Sequence, residues 1–161
     1  MGKMIKVGMA DLNVCPYPDA ITTLGLGSCV GVALFDSTNK CGGLAHVMLP
    51  DSTAIRNNSN KAKFADTGIE ELVRQMEALG ASRRRMTAKI AGGAQMFAFS
   101  NTSDMVRIGE RNVEACKKKL AELGIKVIAE DTGLNYGRTI EFYTETGILL
   151  VKAVGRPVKE I

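Results

Sequence analysis

The chain has 161 residues, of which 45% are hydrophobic, and its net charge is +4. This length and composition predict one compact globular domain with a buried core. The chain has no tryptophan and only 5% aromatic residues, so platforms for base stacking are scarce and nucleic-acid binding is not expected. The basic clusters at 83–85 and 117–119 are typical of solvated helix ends, and a mildly positive surface fits an acidic protein partner better.

Cysteine and histidine usage limits the possible chemistry. The four cysteines form no C-x-x-C pair and the chain has one histidine, so neither a zinc site nor a disulfide framework is expected. No other cofactor is expected either. The sequence has no secretory leader and no run of ~18 apolar residues, which predicts a cytoplasmic protein with reduced thiols and no direct membrane insertion.

The N-terminal part of the chain is predicted to form strands. Residues 4–14 alternate loosely between apolar and polar side chains, which indicates a strand or a bulged strand pair. Pro16 and Pro18 then turn the chain in an exposed connection. Residues 30–35 are apolar without alternation, as in a strand covered on both faces, and a polar turn separates them from 43–48. These two segments are predicted to pair as an antiparallel hairpin.

The C-terminal part alternates between helical and strand patterns. A surface helix is predicted from about Lys63 to Gly80, with Thr67 and Glu70 as a capping box. The remaining predicted elements are a buried strand at 86–91, a helix at 108–123, a strand at 125–130 and a hairpin of 138–143 with 148–154. Gly92 and Gly93 are expected to let the backbone pass close to the turn before Cys29. The predicted fold class is α+β (α/β layered), with mixed β-sheets and two main covering helices.

Cys29 and His46 are predicted to meet at one end of the hairpin. Cys29 directly precedes the first strand and His46 lies on the second, whereas Cys41 lies at the turn end. A thiol is a nucleophile only as thiolate and needs a base, usually an imidazole, so we expect His46 to depress the pKa of Cys29. Amides near Gly27 and Ser28 are candidates for an oxyanion site. The alternatives are that Ser28 only shapes the turn and that the cysteine and histidine are structural.

Six ordered blocks carry a resemblance to a known family. They are T-L-G-L-G-S-C at 23–29, A-H-V-M-L-P at 45–50, F-A-D-T at 64–67, K-I-A-G-G-A at 89–94, G-E-R-N at 109–112 and A-E-D-T-G at 129–133. Together they resemble the CheD family of bacterial chemoreceptor glutamine deamidases. The resemblance implies a single CheD-like deamidase domain over residues 1–161. Its fold would resemble that of cytotoxic necrotizing factor-like cysteine hydrolases.

The resemblance also implies an activity and its residues. It implies a protein-glutamine glutaminase that uses Cys29, His46 and an auxiliary Thr23 on glutamine side chains of methyl-accepting chemoreceptors. It further implies binding to a CheC-type response-regulator phosphatase, and the alternative function is a mainly non-catalytic binding partner of phosphatase and receptors. A thiol redox sensor at Cys29 is less favoured because no resolving cysteine is paired with it in sequence.

Phe97 and Phe99 are the candidates for the partner surface. They lie on an irregular segment directly after the glycine pair, and aromatic residues often anchor interfaces. The alternative is that both side chains point inward and pack beneath the loop.

Overall fold

The computed structural model describes residues 2–96 and 107–161. Its strands are β1 Met4–Val7, β2 Leu12–Pro16, β3 Ala20–Leu26, β4 Val30–Asp36, β5 Cys41–Val47, β6 Met86–Gly92, β7 Lys126–Thr132, β8 Arg138–Tyr143, β9 Ile148–Lys152 and β10 Lys159–Glu160. Its α-helices are α1 Ala65–Ala78 and α2 Ile108–Glu122. Short 3₁₀ turns lie at Ser52–Ala54, Lys61–Lys63 and Arg83–Arg85.

The strands form two five-stranded mixed sheets. The first sheet has the order β1-β3-β8-β9-β10 and the second has the order β2-β5-β4-β6-β7. The pairs β1–β3 and β6–β7 are parallel, and the other pairs are antiparallel. The segment 4–14, predicted as a strand or a bulged strand pair, contains β1 and most of β2, but these two strands join different sheets and do not pair with each other.

The predicted hairpin is confirmed as β4 and β5. Their register runs from Val30 opposite Val47, through Gly31 opposite His46, to Asp36 opposite Cys41. Residues directly opposite each other on paired strands point to the same face of the sheet, so Gly31 and His46 face the same side. A Cβ atom at Gly31 would lie 2.4 Å from Ile140 Cδ1 of β8, which places this face against the first sheet.

Two apolar clusters cover the two faces of β4, as its unbroken apolar pattern predicted. On one face Val30, Val32 and Leu34 belong to the cluster that also holds the buried residues of α1 and α2. On the other face Ala33 packs with Phe142 and other residues of the first sheet. The helices therefore cover the second sheet from outside, and the first sheet covers it from inside.

The helix boundaries correct one detail of the sequence prediction. Helix α1 has Phe64 at its N-cap with no side-chain cap, and the Thr67 hydroxyl donates instead to the Lys61 carbonyl at 2.7 Å. The predicted capping box of Thr67 and Glu70 is wrong because the helix begins before Thr67. The predicted end is confirmed, since Gly80 follows the helix with a positive φ of 97°. Within residues 2–96 and 107–161, no helix is long and apolar enough to cross a membrane.

Candidate active site

Thr23 and His46 join the two sheets through a buried hydrogen bond. Thr23 Oγ1 on β3 lies 2.7 Å from His46 Nδ1 on β5, and it also lies 2.8 Å from the Val7 carbonyl oxygen on β1. The carbonyl can only accept, so the single hydroxyl proton of Thr23 goes to Val7. The hydroxyl oxygen must then accept the proton of Nδ1. This arrangement fixes the neutral tautomer of His46 that has a lone pair on Nε2.

The Nε2 atom of His46 is buried without a hydrogen-bond partner among the described residues. Burial lowers the pKa of His46, so its ring is neutral near pH 7. A neutral imidazole with one nitrogen oriented by a neighbour and the other unpaired is the arrangement of a general base.

Cys29 lies in the turn between β3 and β4, on the side of the sheet that carries His46. It packs in the cluster between the sheets, together with Ala91 and Ile140. Two residues later, Gly31 lies directly opposite His46, so Cys29 lies just beyond the end of the strand pair and on the same face of the sheet as His46. In this conformation no hydrogen bond links the thiol to Nε2.

The resting thiol of Cys29 is protonated. Burial raises the pKa of Cys29, and the residue's own backbone N–H opposes this effect without reversing it. The expectation that His46 depresses this pKa is wrong for the unliganded protein, because a neutral imidazole offers no positive charge to stabilise a thiolate.

The other three cysteines differ from Cys29 in their surroundings. Burial raises the pKa of Cys116 to about 12, and burial followed by the charge of Asp19 raises that of Cys15 to about 12. Burial also raises the pKa of Cys41. Cys29 is 7% exposed, whereas each of the other three is at most 2% exposed. The Cys29 thiol, at the end of the hairpin that carries His46, is therefore also the most accessible of the four.

Backbone contacts hold the Cys29 turn against the end of β6. The Gly93 amide donates to the Cys29 carbonyl, and the Ala94 amide donates to the Gly27 carbonyl, each at 2.8 Å. A Cβ atom at Gly92 would lie 2.3 Å from the Cys29 carbonyl oxygen. The predicted close approach of the glycine pair to the turn is therefore confirmed.

The oxyanion candidates lie on this turn. The Gly27 amide donates to the Gly25 carbonyl at 3.1 Å, so it is engaged in this conformation. The Ser28 carbonyl is held from the other side by Asn112 Nδ2 at 3.0 Å. An oxyanion role for Gly27 and Ser28 stays a prediction.

Asn112 on α2 ends the block G-E-R-N at 109–112, but no role was predicted for it from the sequence. Its side chain is fully buried, and Nδ2 also donates to the Met48 carbonyl at 2.9 Å. The feature of the sequence that could have pointed to Asn112 is its place, as a polar residue, on the apolar stripe of a helix next to Val113. Such a side chain needs buried hydrogen-bond partners.

An apolar surface surrounds the turn. Leu24 and Leu134 are 59% and 61% exposed, and Met96 is also exposed. A Cβ atom at Gly27 would lie 3.3 Å from Met96 Cγ, so this side chain lies on the turn itself. A cavity of about 390 Å³ borders the patch, lined in part by Gly93 and Leu134. Phe97 and Phe99, the predicted partner surface, lie outside the described residues.

The part of the chain that the structure describes contains no group of three or more His, Cys, Asp or Glu side chains that could hold a metal ion. Thr23 and His46 bring a hydroxyl and an imidazole into contact, and the Cys29 thiol lies at the same end of the hairpin. These three groups suit proton transfer and nucleophilic attack by sulfur.

The fold places the chain in a class of layered α+β proteins in which two mixed sheets pack face to face and helices cover one of them. The crystal structure of Neisseria meningitidis protein NMB0706, of the DUF152 family, has a TM-score of 0.52 and 10% sequence identity, and the match covers 83% of this chain and 64% of that chain. Such proteins share the cytotoxic necrotizing factor-like fold, so the predicted fold class is confirmed.

The family model described as CheD chemotactic sensory transduction matches residues 48–153. A relative in Lachnoclostridium phytofermentans, named "Probable chemoreceptor glutamine deamidase CheD", is 67% identical over the full length of both chains. A relative in Halalkalibacterium halodurans, named "Chemoreceptor glutamine deamidase CheD", is 54% identical, also over the full length of both. The chain belongs to the CheD family. The match to the family model begins after His46, whereas both relatives also span Thr23, Cys29 and His46.

Proposed function

We propose that this protein is a protein-glutamine glutaminase that converts specific glutamine side chains of methyl-accepting chemoreceptors to glutamate. Cys29 is the nucleophile, His46 the acid and base, and Thr23 the residue that orients His46. The names of the relatives support the substrate. The observation that carries the chemistry is the hydrogen bond that His46 Nδ1 donates to Thr23 Oγ1, with Nε2 unpaired on the face of the sheet shared with Cys29.

The first step forms a thioester. Because the resting thiol and imidazole are both neutral, Cys29 gives its proton to His46 Nε2 as the sulfur attacks the amide carbon. The new C–S bond moves the carbonyl electron pair onto oxygen, which the amides of the turn stabilise. As the carbonyl re-forms, the C–N bond breaks and the imidazolium protonates the nitrogen, which leaves as ammonia.

The second step hydrolyses the thioester. His46, neutral again, takes a proton from water while the water oxygen attacks the thioester carbon. The C–S bond then breaks, the carboxylic acid of glutamate is released and the imidazolium returns its proton to sulfur. The overall reaction consumes one amide and one water and yields one carboxylic acid and one ammonia, with no cofactor.

Thr23 supports both steps from the far side of the ring. Its hydroxyl is anchored on the Val7 carbonyl, so it can only accept from Nδ1–H. This contact keeps Nε2 in the basic form and stabilises the imidazolium during each step. A hydroxyl carries no charge, so we expect it to contribute less than a carboxylate would in the same place.

Mass spectrometry of a purified receptor tests this proposal. Incubation with the wild-type protein is expected to give the mass gain that marks conversion of an amide to a carboxylate, and Cys29→Ala is expected to give none. Cys41→Ala is the matched control because this thiol lies at the opposite end of the hairpin. Equal deamidation by Cys29→Ala and the wild type would overturn the assignment of the nucleophile.

A second proposed function is binding of a CheC-type phosphatase in the cytoplasm. The exposed apolar side chains of Leu24, Met96 and Leu134 support a docking surface beside the turn. A partner seated there would cover Cys29, so phosphatase and receptor are expected to compete. Saturating phosphatase should slow receptor deamidation, and an unchanged rate at full occupancy would rule out overlapping surfaces.

A further inference from the structure

The strand pair that carries the site ends just before Cys29. The last paired residues of β4 and β5 are Val30 and Val47. Beyond them the two chains separate, because the Cys29 carbonyl accepts from Gly93 and the Met48 amide donates to Lys63, at 2.8 and 2.9 Å. Backbone hydrogen bonds of the hairpin therefore do not fix the position of the Cys29 turn relative to the end of β5.

The side-chain amide of Asn112 bridges this gap. Its two N–H groups reach the Ser28 carbonyl at 3.0 Å and the Met48 carbonyl at 2.9 Å. Both partners can only accept, so chemistry requires that nitrogen rather than oxygen face them. Ser28 directly precedes the nucleophile, and Met48 follows His46 by two residues. One amide thus holds the peptide next to Cys29 against the strand that carries His46.

Helix α2 holds Asn112 rigidly in this place. A Cβ atom at Gly109, one turn earlier, would lie 2.4 Å from the Ala94 carbonyl oxygen. A Cβ atom at Gly93 would lie 2.2 Å from Val113 Cγ2. The helix therefore packs directly on the backbone that follows β6, and the Asn112 side chain is fully buried.

Asn112 acts from the side of the sheet opposite to the reacting groups. Its neighbour Val113 packs with Val30 in the cluster under the helices, whereas Cys29 belongs to the cluster between the sheets. Among the described residues, the hydrogen-bond partners of the amide are two backbone carbonyls. Its Oδ1 has no hydrogen-bond partner among the described residues, so the two donated bonds are the polar contacts that account for the side chain there.

We propose that Asn112 is a positioning residue that sets the distance between the Cys29 thiol and the His46 imidazole. The inference rests on the proposed function in one respect: its test by kcat requires that the protein deamidates receptors. The reactivity of the thiol provides a second measurement that needs no receptor substrate. Displacement of a reacting group by about 1 Å can cost on the order of 10²-fold in rate.

The test compares Asn112→Ala with the control Asn39→Ala. Asn39 Nδ2 also donates to a backbone carbonyl, that of Leu79 at 3.0 Å, and lies at the far end of the hairpin. We expect Asn112→Ala to lower kcat for receptor deamidation by about 10- to 100-fold with little change in KM. Asn39→Ala should keep the wild-type kcat even if its melting temperature falls as far as that of Asn112→Ala.

The pH profile of Cys29 alkylation by iodoacetamide separates positioning from a structural role. In the wild type, assistance by His46 should extend labelling to lower pH, and His46→Ala should remove that assistance. We expect the profile of Asn112→Ala to approach that of His46→Ala. A folded Asn112→Ala protein with the wild-type profile and kcat would overturn the inference, even if its melting temperature were lower.

Asn112→Leu repeats the test should Asn112→Ala not fold. Leucine has the same number and branching of side-chain heavy atoms as asparagine and has no N–H to donate. Wild-type kcat and a wild-type labelling profile in this variant would equally overturn the proposal. If the wild type labels with His46 assistance but does not deamidate receptors, the proposed function fails while the positioning role of Asn112 is still decided by the labelling profiles.

Discussion

At the scale of single residues, the site depends on which nitrogen of the His46 ring carries the proton, and the Thr23 hydroxyl determines that it is Nδ1. The Val7 carbonyl accepts the hydrogen bond that the Thr23 hydroxyl donates, so the hydroxyl oxygen can only accept a hydrogen bond from His46 Nδ1. The neutral ring and the protonated thiol follow from burial, which lowers the pKa of His46 and raises that of Cys29. In the proposed reaction, Cys29 and His46 therefore begin as an uncharged pair, and charge develops only when substrate is present.

Substitutions of His46 and Thr23 should differ in severity. We expect His46→Ala to lower kcat by about 10²–10⁴-fold, which is the usual contribution of a general acid and base. Thr23→Val keeps the shape and removes both the acceptor for Nδ1–H and the donor to the Val7 carbonyl, but it leaves the imidazole in place, so its loss of kcat should be smaller. Steady-state rates on a receptor substrate measure both. Wild-type turnover by folded His46→Ala would contradict the pairing of thiol and imidazole.

The buried imidazole should also make stability depend on pH. The folded-state pKa of His46 lies below the ordinary 6.5, so below that pH the unfolded chain binds a proton that the folded chain does not. The contribution of His46 to stability is thus present above pH 6.5 and is lost as the pH falls toward the folded pKa. Thermal melts of wild type and His46→Gln between pH 8 and 5 measure this effect.

We expect the wild type to lose more stability on acidification than His46→Gln. Carboxylates titrate in both proteins, so the difference between them isolates the histidine. Parallel pH dependence of the two melting temperatures would contradict a depressed pKa.

At the scale of elements, the end of β6 determines where the Cys29 turn lies. Gly92 has a φ of 106° and leaves no space for a Cβ atom beside the Cys29 carbonyl. The bulge in β3, where the pairing with β8 shifts between Thr23 and Leu26, precedes the same turn. Bulges often re-aim a strand next to an active site. Two irregular strand ends thus place Cys29, the proposed nucleophile, at the end of a regular hairpin.

Gly92→Ala should therefore disturb both stability and activity. The control is Gly155→Ala, since Gly155 also has a positive φ, of 73°, but a Cβ atom added there would meet no other atom within 4 Å. Strain in φ alone is expected to lower the free energy of unfolding of Gly155→Ala by about 1–2 kcal/mol, and its activity should stay unchanged. Gly92→Ala should lose more stability, and also kcat, because the turn must move. Urea unfolding measures the stability of both variants, and turnover of a receptor substrate measures their kcat. Equal losses in the two variants would contradict the role of Gly92.

At the scale of the whole molecule, the two sheets are built from interleaved parts of the chain. The first sheet takes β1, β3 and β8 to β10, and the second takes β2 and β4 to β7. The chain therefore crosses between the sheets repeatedly, and the Thr23 to His46 bond joins them. Neither sheet corresponds to a continuous stretch of sequence that could fold alone.

We accordingly expect one cooperative unfolding transition for residues 1–161. Calorimetry should give equal calorimetric and van't Hoff enthalpies, as single domains of this size usually do. Two resolved transitions, or loss of far-ultraviolet and aromatic signals at different temperatures, would contradict a single domain.

The amino-acid sequence by itself determined the parts that depend on local pattern. Period-two and period-3.6 patterns located the main strands and both helices, and the hairpin brought Cys29 and His46 to one end because its two strands are adjacent in sequence. The contact of Gly92 with the Cys29 turn was also predicted, since a glycine pair after a strand indicates a close backbone approach.

Only the tertiary structure decided what depends on partners distant in sequence. Val7 and Thr23 meet through a parallel pair, and Asn112 reaches Ser28 across 84 residues. The protonation states of Cys29 and His46 likewise follow from burial between two sheets. The physical reason is that local periodicity records which face of an element is apolar. Hydrogen bonds and desolvation at a buried site depend on which faces meet, and that is established only when the whole chain packs.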